Sequence, residues 1–261
     1  MNIKINDWMI SMRAIDTIKI IWIKNLKIYK RNYINTVSMW IRPFLFIIPL
    51  LLFGMYFIND ISDLNFIIIS GMLTSVIMSL IIDTNYEINK DVESGTIFSI
   101  MMAPISIEAY IWAHALSHGI LLNITMIIVI LIVGFYKISI IQLIIIIFSL
   151  LCITLVSISI ALCLSLLTMK LKTFRFSSLI TNFILLFSGM LYPVNLLPFP
   201  FKFVSFFSPF TYGIDIVRNV SLNKTTLVPL KFELIILFFY TLLVLFISKK
   251  LFLNGIDKEE F

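Results

Sequence analysis

The run SIIQLIIIIFSLLCITLVSISIALCLSLLT, residues 139–168, decides the class of fold. It holds no charged residue over a length greater than the roughly 20 apolar residues that cross about 30 Å of hydrocarbon as a helix. Nor does its polarity alternate, as it would in the roughly 10-residue strands of a membrane β-barrel. At that length the segment tilts or extends into water. The rest of the chain is of the same kind. Of 261 residues, 60% are apolar and 13% charged, against about 45–50% and about 25% in soluble domains. The class is therefore an all-α polytopic membrane protein.

Working outward from this run, the pattern predicts six spans at approximately 37–58, 65–82, 109–134, 139–168, 177–194 and 231–248. The fifth is short and is expected to stop at Pro193. One transmembrane domain is expected over 1–261, with a lead at 1–36, a polar loop at 83–108 and a broken segment at 193–230. No internal repeat and no appended soluble domain is evident. The first long apolar run begins near Val37, later than the core of a secretory signal, so no signal peptide is expected.

The formal charge of +6 does not point to nucleic acid, because the basic residues flank hydrophobic spans instead of forming one soluble face. Lys4, Arg13, Lys19, Lys24, Lys27, Lys30 and Arg31 precede the first span. Lys170, Lys172 and Arg175 lie before the fifth, and Lys249, Lys250 and Lys258 follow the sixth. The first hairpin, NDISDL at 59–64, has no basic residue, and the next link on that side has Lys137 alone. The positive-inside rule then places both termini in the cytoplasm, at the cell membrane, in agreement with an even span count.

The lead DWMISMRAIDTIKIIWIKNLKIYKRNY, residues 7–33, sets Trp8, Ile15, Trp22 and Tyr29 among lysines. This suits an amphipathic helix lying in the interfacial plane, with lysines reaching anionic headgroups. The same residues also suit a loosely helical basic anchor. Cys152 and Cys163 are eleven residues apart in one apolar run. That is about 16 Å along a helix, too far for a disulfide, so both are expected as free lipid- or core-facing thiols. Arg42 beside Pro43 is expected to snorkel to the interface, and Glu233 to open the sixth span near the outer surface.

Three stretches interrupt the apolar pattern. In ESGTIFSIMMAPIS, residues 93–106, Ile97, Ile100, Met101 and Pro104 repeat at i, i+3, i+4, i+7, one stripe of a short helix. Gly95 permits a sharp turn into it, Ser94 or Thr96 can cap it, and Pro104 ends it. Such a helix, led by the carboxylate of Glu93, either docks into a groove on a soluble partner or lies on the membrane surface to turn the chain. The second stretch, LFSGMLYPVNLLPFPFKFVSFFSPFTYGIDIVRNV at 186–220, contains Pro193, Pro198, Pro200 and Pro209 amid aromatic residues. Non-helical backbone at membrane depth must be buried in protein or line a cavity, which argues for a re-entrant hairpin. Within it Asp215 and Arg218 are spaced to pair on one helical face. Third, His114 and His118 in HALSH stand at i, i+4. The glutamate of an H-E-x-x-H metal motif is absent and no third ligand is evident, so they are read as structural or pore-lining, with metal binding or proton relay as the alternatives.

Taken in order, these motifs resemble the ABC type-2 transporter permeases. ESGTIFSIMMAPIS looks like that family's Glu-x-Gly-Thr…Pro-x-Ser loop. SGMLYPVNLLP (188–198) followed by SPFTYGIDIVRNV (208–220) looks like its second signature, and WIKNLKIYKRNY (22–33) leading into WIRPFLFIIPLLLFG (40–54) like its basic lead and Pro-containing first span. The resemblance implies a coupling helix at 93–104 that contacts a separate ATPase, with Glu93, Gly95, Thr96, Ile97, Ile100, Met101 and Pro104 at the contact. It implies two short outer helices carrying Pro193, Pro198, Pro209, Tyr212, Asp215 and Arg218. The sequence departs from the commoner pattern in being acidic near the loop, at Glu87, Asp91 and Glu93. No G-x-x-x-x-G-K-[ST] occurs among its eight glycines. No cofactor and no catalytic site are therefore expected in this chain. ATP and Mg2+ would sit on two partner ATPase subunits, and a second permease copy would complete a pore. The implied function is export of an amphiphilic drug, antibiotic, peptide or lipid-like molecule. The alternatives are export of a lipid-linked polysaccharide and, in another class, an intramembrane enzyme or membrane sensor.

Overall fold

A computed structural model of the chain describes residues 2–57, 61–96, 107–133, 138–171, 175–189, 194, 197–224 and 226–257. Every long element among them is a helix. In chain order these are α1 (Asn2–Arg31), α2 (Tyr33–Phe57), α3 (Ile61–Glu93), α4 (Ile107–His114), α5 (Ile120–Val133), α6 (Ile140–Leu171), α7 (Arg175–Leu186), α8 (Phe201–Phe207), α9 (Pro209–Leu222) and α10 (Leu230–Asp257). A five-residue π-helix, Ala115–Gly119, joins α4 to α5 without a break. Four stretches are long and apolar enough to cross a membrane: Asp63–Glu93, Glu108–Val133, Ile140–Thr168 and Leu230–Leu251. Thr36–Pro49 and Ser177–Leu186 are shorter apolar helical stretches.

The core lies where α3 and α6 pack, with α9 and α10 against α6 and with α2 and α7 against α3. Ile69, Met72, Leu73 and Ile77 of α3 meet Ile153 and Val156 of α6 and Phe210, Ile214 and Val217 of α9 in one buried cluster. Polar residues in α6 are tolerated because their hydroxyls donate to carbonyls of their own helix. Ser149, Thr154, Ser157, Ser159, Ser165 and Thr168 all do so, at 2.7–3.0 Å. No hydroxyl proton among them is left unpaired in an apolar setting.

Two boundaries differ from the sequence reading. The second span was expected to end near residue 82, but α3 continues to Glu93. No Gly or Pro lies between Gly71 and Gly95 to stop it. The extra eleven residues add about 16 Å of helix. Their charged side chains are accepted because other helices answer them, as described below. The helix of the fifth span was expected to reach Pro193, yet α7 ends at Leu186. The break is made by Gly189 at φ +68, a left-handed value that glycine adopts without penalty. There both the backbone N–H and the hydroxyl of Ser188 donate to the Leu185 carbonyl, at 3.1 and 2.7 Å. Pro193 lies outside the described residues.

Contacts sort the helix ends into two groups. Lys224 pairs with Asp63 at 3.5 Å, and Gln142 donates to Asn223 at 2.5 Å, so the starts of α3 and α6 share one end with the finish of α9. At the opposite end Lys249 of α10 pairs with Glu108 of α4, and Lys24 of α1 with Asp91 of α3. The exposed pairs contribute little energy, but they fix the up–down order of the bundle. Cys152 is buried, Cys163 is half-buried, and both are free.

Close approach of α9 to α6 gives a stability test. A Cβ on Gly213 would sit 2.6 Å from Ile153 Cγ1 and 2.9 Å from its Cδ1, whereas one on Gly119 would come no closer than 3.4 Å to the Thr154 side chain. Gly213→Ala should therefore destabilise by about 1–3 kcal/mol through overpacking. Gly119→Ala should be close to neutral. Thermal unfolding in detergent, followed by size-exclusion fluorescence, reads both, and adding Ile153→Val should partly restore the Gly213→Ala protein.

Candidate functional site

The first predicted site is the turn after α3. Ser94 N–H bonds to Lys90 C=O at 3.0 Å and Gly95 N–H to Val92 C=O at 2.9 Å, closing the helix. Gly95 has φ +71 with no atom within 4 Å of its would-be Cβ, so the turn requires a left-handed residue and not merely a small one. The hydroxyls of Ser94 and Thr96 bond to each other at 2.8 Å. Glu93 is exposed. It is the last residue of α3. Ile97, Ile100, Met101 and Pro104, and the short helix expected over them, lie outside the described residues.

At the other end of the bundle, α9 packs on α6, α10 and α3, and α8 packs on α9. The SPFTY stretch forms a self-capping corner. Pro209 occupies the first turn of α9, where its missing N–H costs nothing. Thr211 Oγ1 donates back to Ser205 C=O at 2.6 Å and Tyr212 Oη to Phe206 C=O at 3.0 Å, satisfying carbonyls at the end of α8. The Tyr212 ring stacks on Tyr240 of α10 at 5.9 Å. Pro198, by contrast, is exposed, and its carbonyl accepts from Lys202 N–H at 3.2 Å.

Asp215 and Arg218 pair at 2.9 Å as the spacing predicts, and both are almost wholly buried. The pair reaches well beyond its own helix. Asp215 Oδ2 accepts Leu227 N–H at 2.8 Å, Arg218 Nη1 donates to Gly189 C=O at 3.4 Å, and the guanidinium lies 4.1 Å over the Phe66 ring. It thereby ties α9 to the α9–α10 link, to the turn after α7 and to α3. Glu233 lies in the first turn of α10, as expected, and is fully buried within electrostatic reach of both residues.

A third constellation was not legible beforehand. Asp83, Glu87 and Asp91 recur every fourth residue along the extension of α3, so they form a ladder on one helical face. Each is answered by a different element. Arg42 of α2 meets both oxygens of Asp83 at 3.1 Å, His118 Nε2 lies 2.8 Å from Glu87 Oε2, and Lys24 of α1 lies 2.5 Å from Asp91. Arg42 is thus bound within the protein instead of merely reaching the interface. Two of the three acidic residues that set the loop apart in the sequence, Glu87 and Asp91, are turned inward and are not offered to a partner.

Around the ladder, Asn25 Nδ2 donates to Ser117 Oγ at 2.9 Å, docking α1 onto the π-helix. Ile21, Asn25 and Tyr29 are the buried stripe of α1, while Lys19, Ile20, Trp22 and Ile23 are exposed. The ladder also lines a cavity of about 250 Å³ together with Lys24, Tyr29, Arg42 and His118. Asp83, Glu87 and Asp91 were missed because the span was closed at residue 82. The signal available in the sequence was D-x-x-x-E-x-x-x-D itself.

The Asp215–Arg218 clasp can be tested by its asymmetry. Removing one partner of a buried ion pair leaves a bare charge and costs about 3–5 kcal/mol, whereas replacing both with apolar residues is often close to neutral. Arg218→Met alone should sharply lower the thermal midpoint of the purified protein, and Asp215→Leu with Arg218→Met should recover much of it.

Comparison with known proteins bears on the whole arrangement. No curated protein matches the chain. The ABC-2 type transporter family matches residues 16–222, from the first half of α1 to the end of α9. That stretch includes the turn at Gly95, the charged ladder and the clasp, in the order in which the helices occur. The chain therefore belongs to the ABC-2 type transporter family and is a multi-pass membrane permease component of an ABC transporter.

Proposed function

We propose that this permease exports an amphiphilic molecule, a drug, antibiotic, peptide or lipid-like compound, across the cell membrane, with both termini in the cytoplasm. The family implies an ABC ATPase as partner. In this reading two ATPase subunits, carrying ATP and Mg2+, dock at the segment 93–104 of two permease copies. Six spans cross the membrane, the four long apolar helical stretches with α2 and α7 completing the count. Helices α8 and α9 re-enter from the outer face, and α1 lies in the inner interfacial plane.

The observation that carries the reading is the continuity of α3. One helix of 33 residues joins the Gly95 turn, next to the docking segment, to Phe66 under the Arg218 guanidinium. Movement imposed at 93–96 therefore meets a rigid element before it meets a flexible one. Both α2 and α7 pack on α3 and turn apolar side chains outward, among them Phe44, Leu45, Leu179 and Phe183. A second copy or an amphiphilic cargo would meet such surfaces.

The test is reconstitution with candidate ABC ATPase subunits from the same organism. The pair should co-elute and show cargo-stimulated ATP turnover. A proline ring holds φ near about −65°, so Gly95→Pro cannot form the turn and should abolish co-elution. Glu93→Arg should weaken it, with the permease still monodisperse in both cases. An ATPase that does not bind the wild type would end the docking assignment. Sidedness is read separately, with a thiol at Asn223 or Asn195. Either should react with a membrane-impermeant maleimide from outside intact cells, and labelling only after lysis would invert the topology.

A further inference from the structure

We propose that Glu87, His114 and His118 form a binding site for a divalent transition-metal ion of the zinc type at the inner end of the bundle. One ligand atom from each residue falls within a sphere in which all three lie within 4.8 Å of one another. Glu87 Oε2 is 2.8 Å from His118 Nε2 and 3.8 Å from His114 Nδ1. Donors sharing a tetrahedral zinc at about 2.0–2.1 Å stand about 3.3 Å apart, so these separations bracket what one ion requires. The π-helix begins directly after His114 and contains His118, and it brings the two imidazoles nearly parallel, 8° between planes and 5.9 Å between centroids. Single π-turns inside α-helices occur frequently at functional sites.

Hydrogen bonding within the protein leaves this cluster incomplete. His118 to Glu87 is a good bond, yet it uses only one nitrogen of four. His114 is 0% exposed and neither of its ring nitrogens has a hydrogen-bond partner among the described residues, nor has His118 Nδ1. An imidazole enclosed with both nitrogens unanswered is costly, and a metal on Nδ1 of His114 answers the one that faces Glu87. Charge points the same way. Of the three ladder carboxylates, Asp83 and Asp91 each pair with a permanent cation, Arg42 and Lys24, while Glu87 meets the two histidines. Two imidazoles and one carboxylate are a donor set that zinc accepts, with a fourth position left open. Glu87 and His118 line the 250 Å³ cavity, which gives the ion both an entry and room for a water on that fourth position. The ion would clamp α3 to the α4–α5 helix beside the Asn25–Ser117 contact of α1. Such a site needs no transport activity and would hold whatever the cargo.

The test uses the full-length chain, freed of any affinity tag, stripped with chelator and returned to Co2+ or Zn2+ in detergent. One Co2+ per chain should bind with the intense visible bands of tetrahedral coordination, and Zn2+ should displace it. Zn2+ should also raise the thermal midpoint of the wild type. Glu87→Gln, His114→Gln and His118→Gln should each weaken binding by at least about tenfold and abolish that thermal shift. Glu87→Gln keeps a hydrogen bond to His118, so a purely structural pair would leave the metal response unchanged. X-ray absorption on the zinc-loaded wild type, which needs no variant, should show imidazole scattering without sulfur. Absence of a bound ion, sulfur ligation, or binding that survives any one of the three substitutions undiminished would overturn the site.

Discussion

A carboxylate taken out of water must be paired, and the extension of α3 brings three of them into a protein-walled space. That constraint organises the end of the bundle where α1 docks. Had α3 stopped where its apolar run stops, α1 and α2 would meet it only through greasy surface, which has no preferred register in a lipid solvent. Instead Asp83, Glu87 and Asp91 assign one docking position each to α2, to the π-helix and to α1. Hydrogen-bond geometry then sets the rotation and height of every helix that touches the ladder. Asn89 adds a neutral link, meeting Asn85 on its own helix and Thr168 on α6.

The opposite end of the bundle solves the same problem with one ion pair in place of three. Residues Phe210–Ser221 of α9 are all buried, including Asp215, Arg218 and Asn219. An amphipathic helix on a water surface would not look like this. Its polar side chains face protein, and Asp215 and Arg218 are spent on backbone groups that the broken segment leaves open: Leu227 N–H and Gly189 C=O. Irregular backbone is affordable at membrane depth only when such partners exist. The charged pair and the glycine break are therefore two halves of one device. The phenylalanine under the guanidinium extends it to α3.

Much of this could be read from the residues. The long apolar runs gave three spans and the start of a fourth within a few residues, because hydrocarbon thickness imposes a length that composition reveals directly. Pairing of Asp215 with Arg218 followed from three-residue spacing, and the turn at Gly95 from the need for a residue tolerant of positive φ. What failed depended on contacts between distant segments. Helix ends were placed where hydrophobicity ended, but α3 ends where its hydrogen-bonded partners end, and α7 stops at a glycine before its proline is reached. His114 and His118 looked like an incomplete pair because the third group, Glu87, lies on another helix.

These two anchored ends make α3 a beam fixed at both extremities, and that has a mechanical consequence. A rigid helix transmits displacement but does not by itself couple two sites; coupling needs an element with two arrangements. Along α3 there is no such element, since it runs without Gly or Pro from residue 72 to residue 94. The candidates lie beyond its ends. On the α1 side it is the left-handed turn at Gly95. At the opposite end it is the junction at Ser208, where one extended residue separates α8 from α9. The two helices at that junction are held differently. α9 is tied to α3 through Arg218 and Phe66 and is enclosed on every side. α8 buries Ser205, leaves Phe201, Phe203, Val204 and Phe207 exposed, and is fastened at its last turn to Thr211 and Tyr212 of α9. Displacement carried by α3 therefore reaches α9 directly and α8 only through that corner.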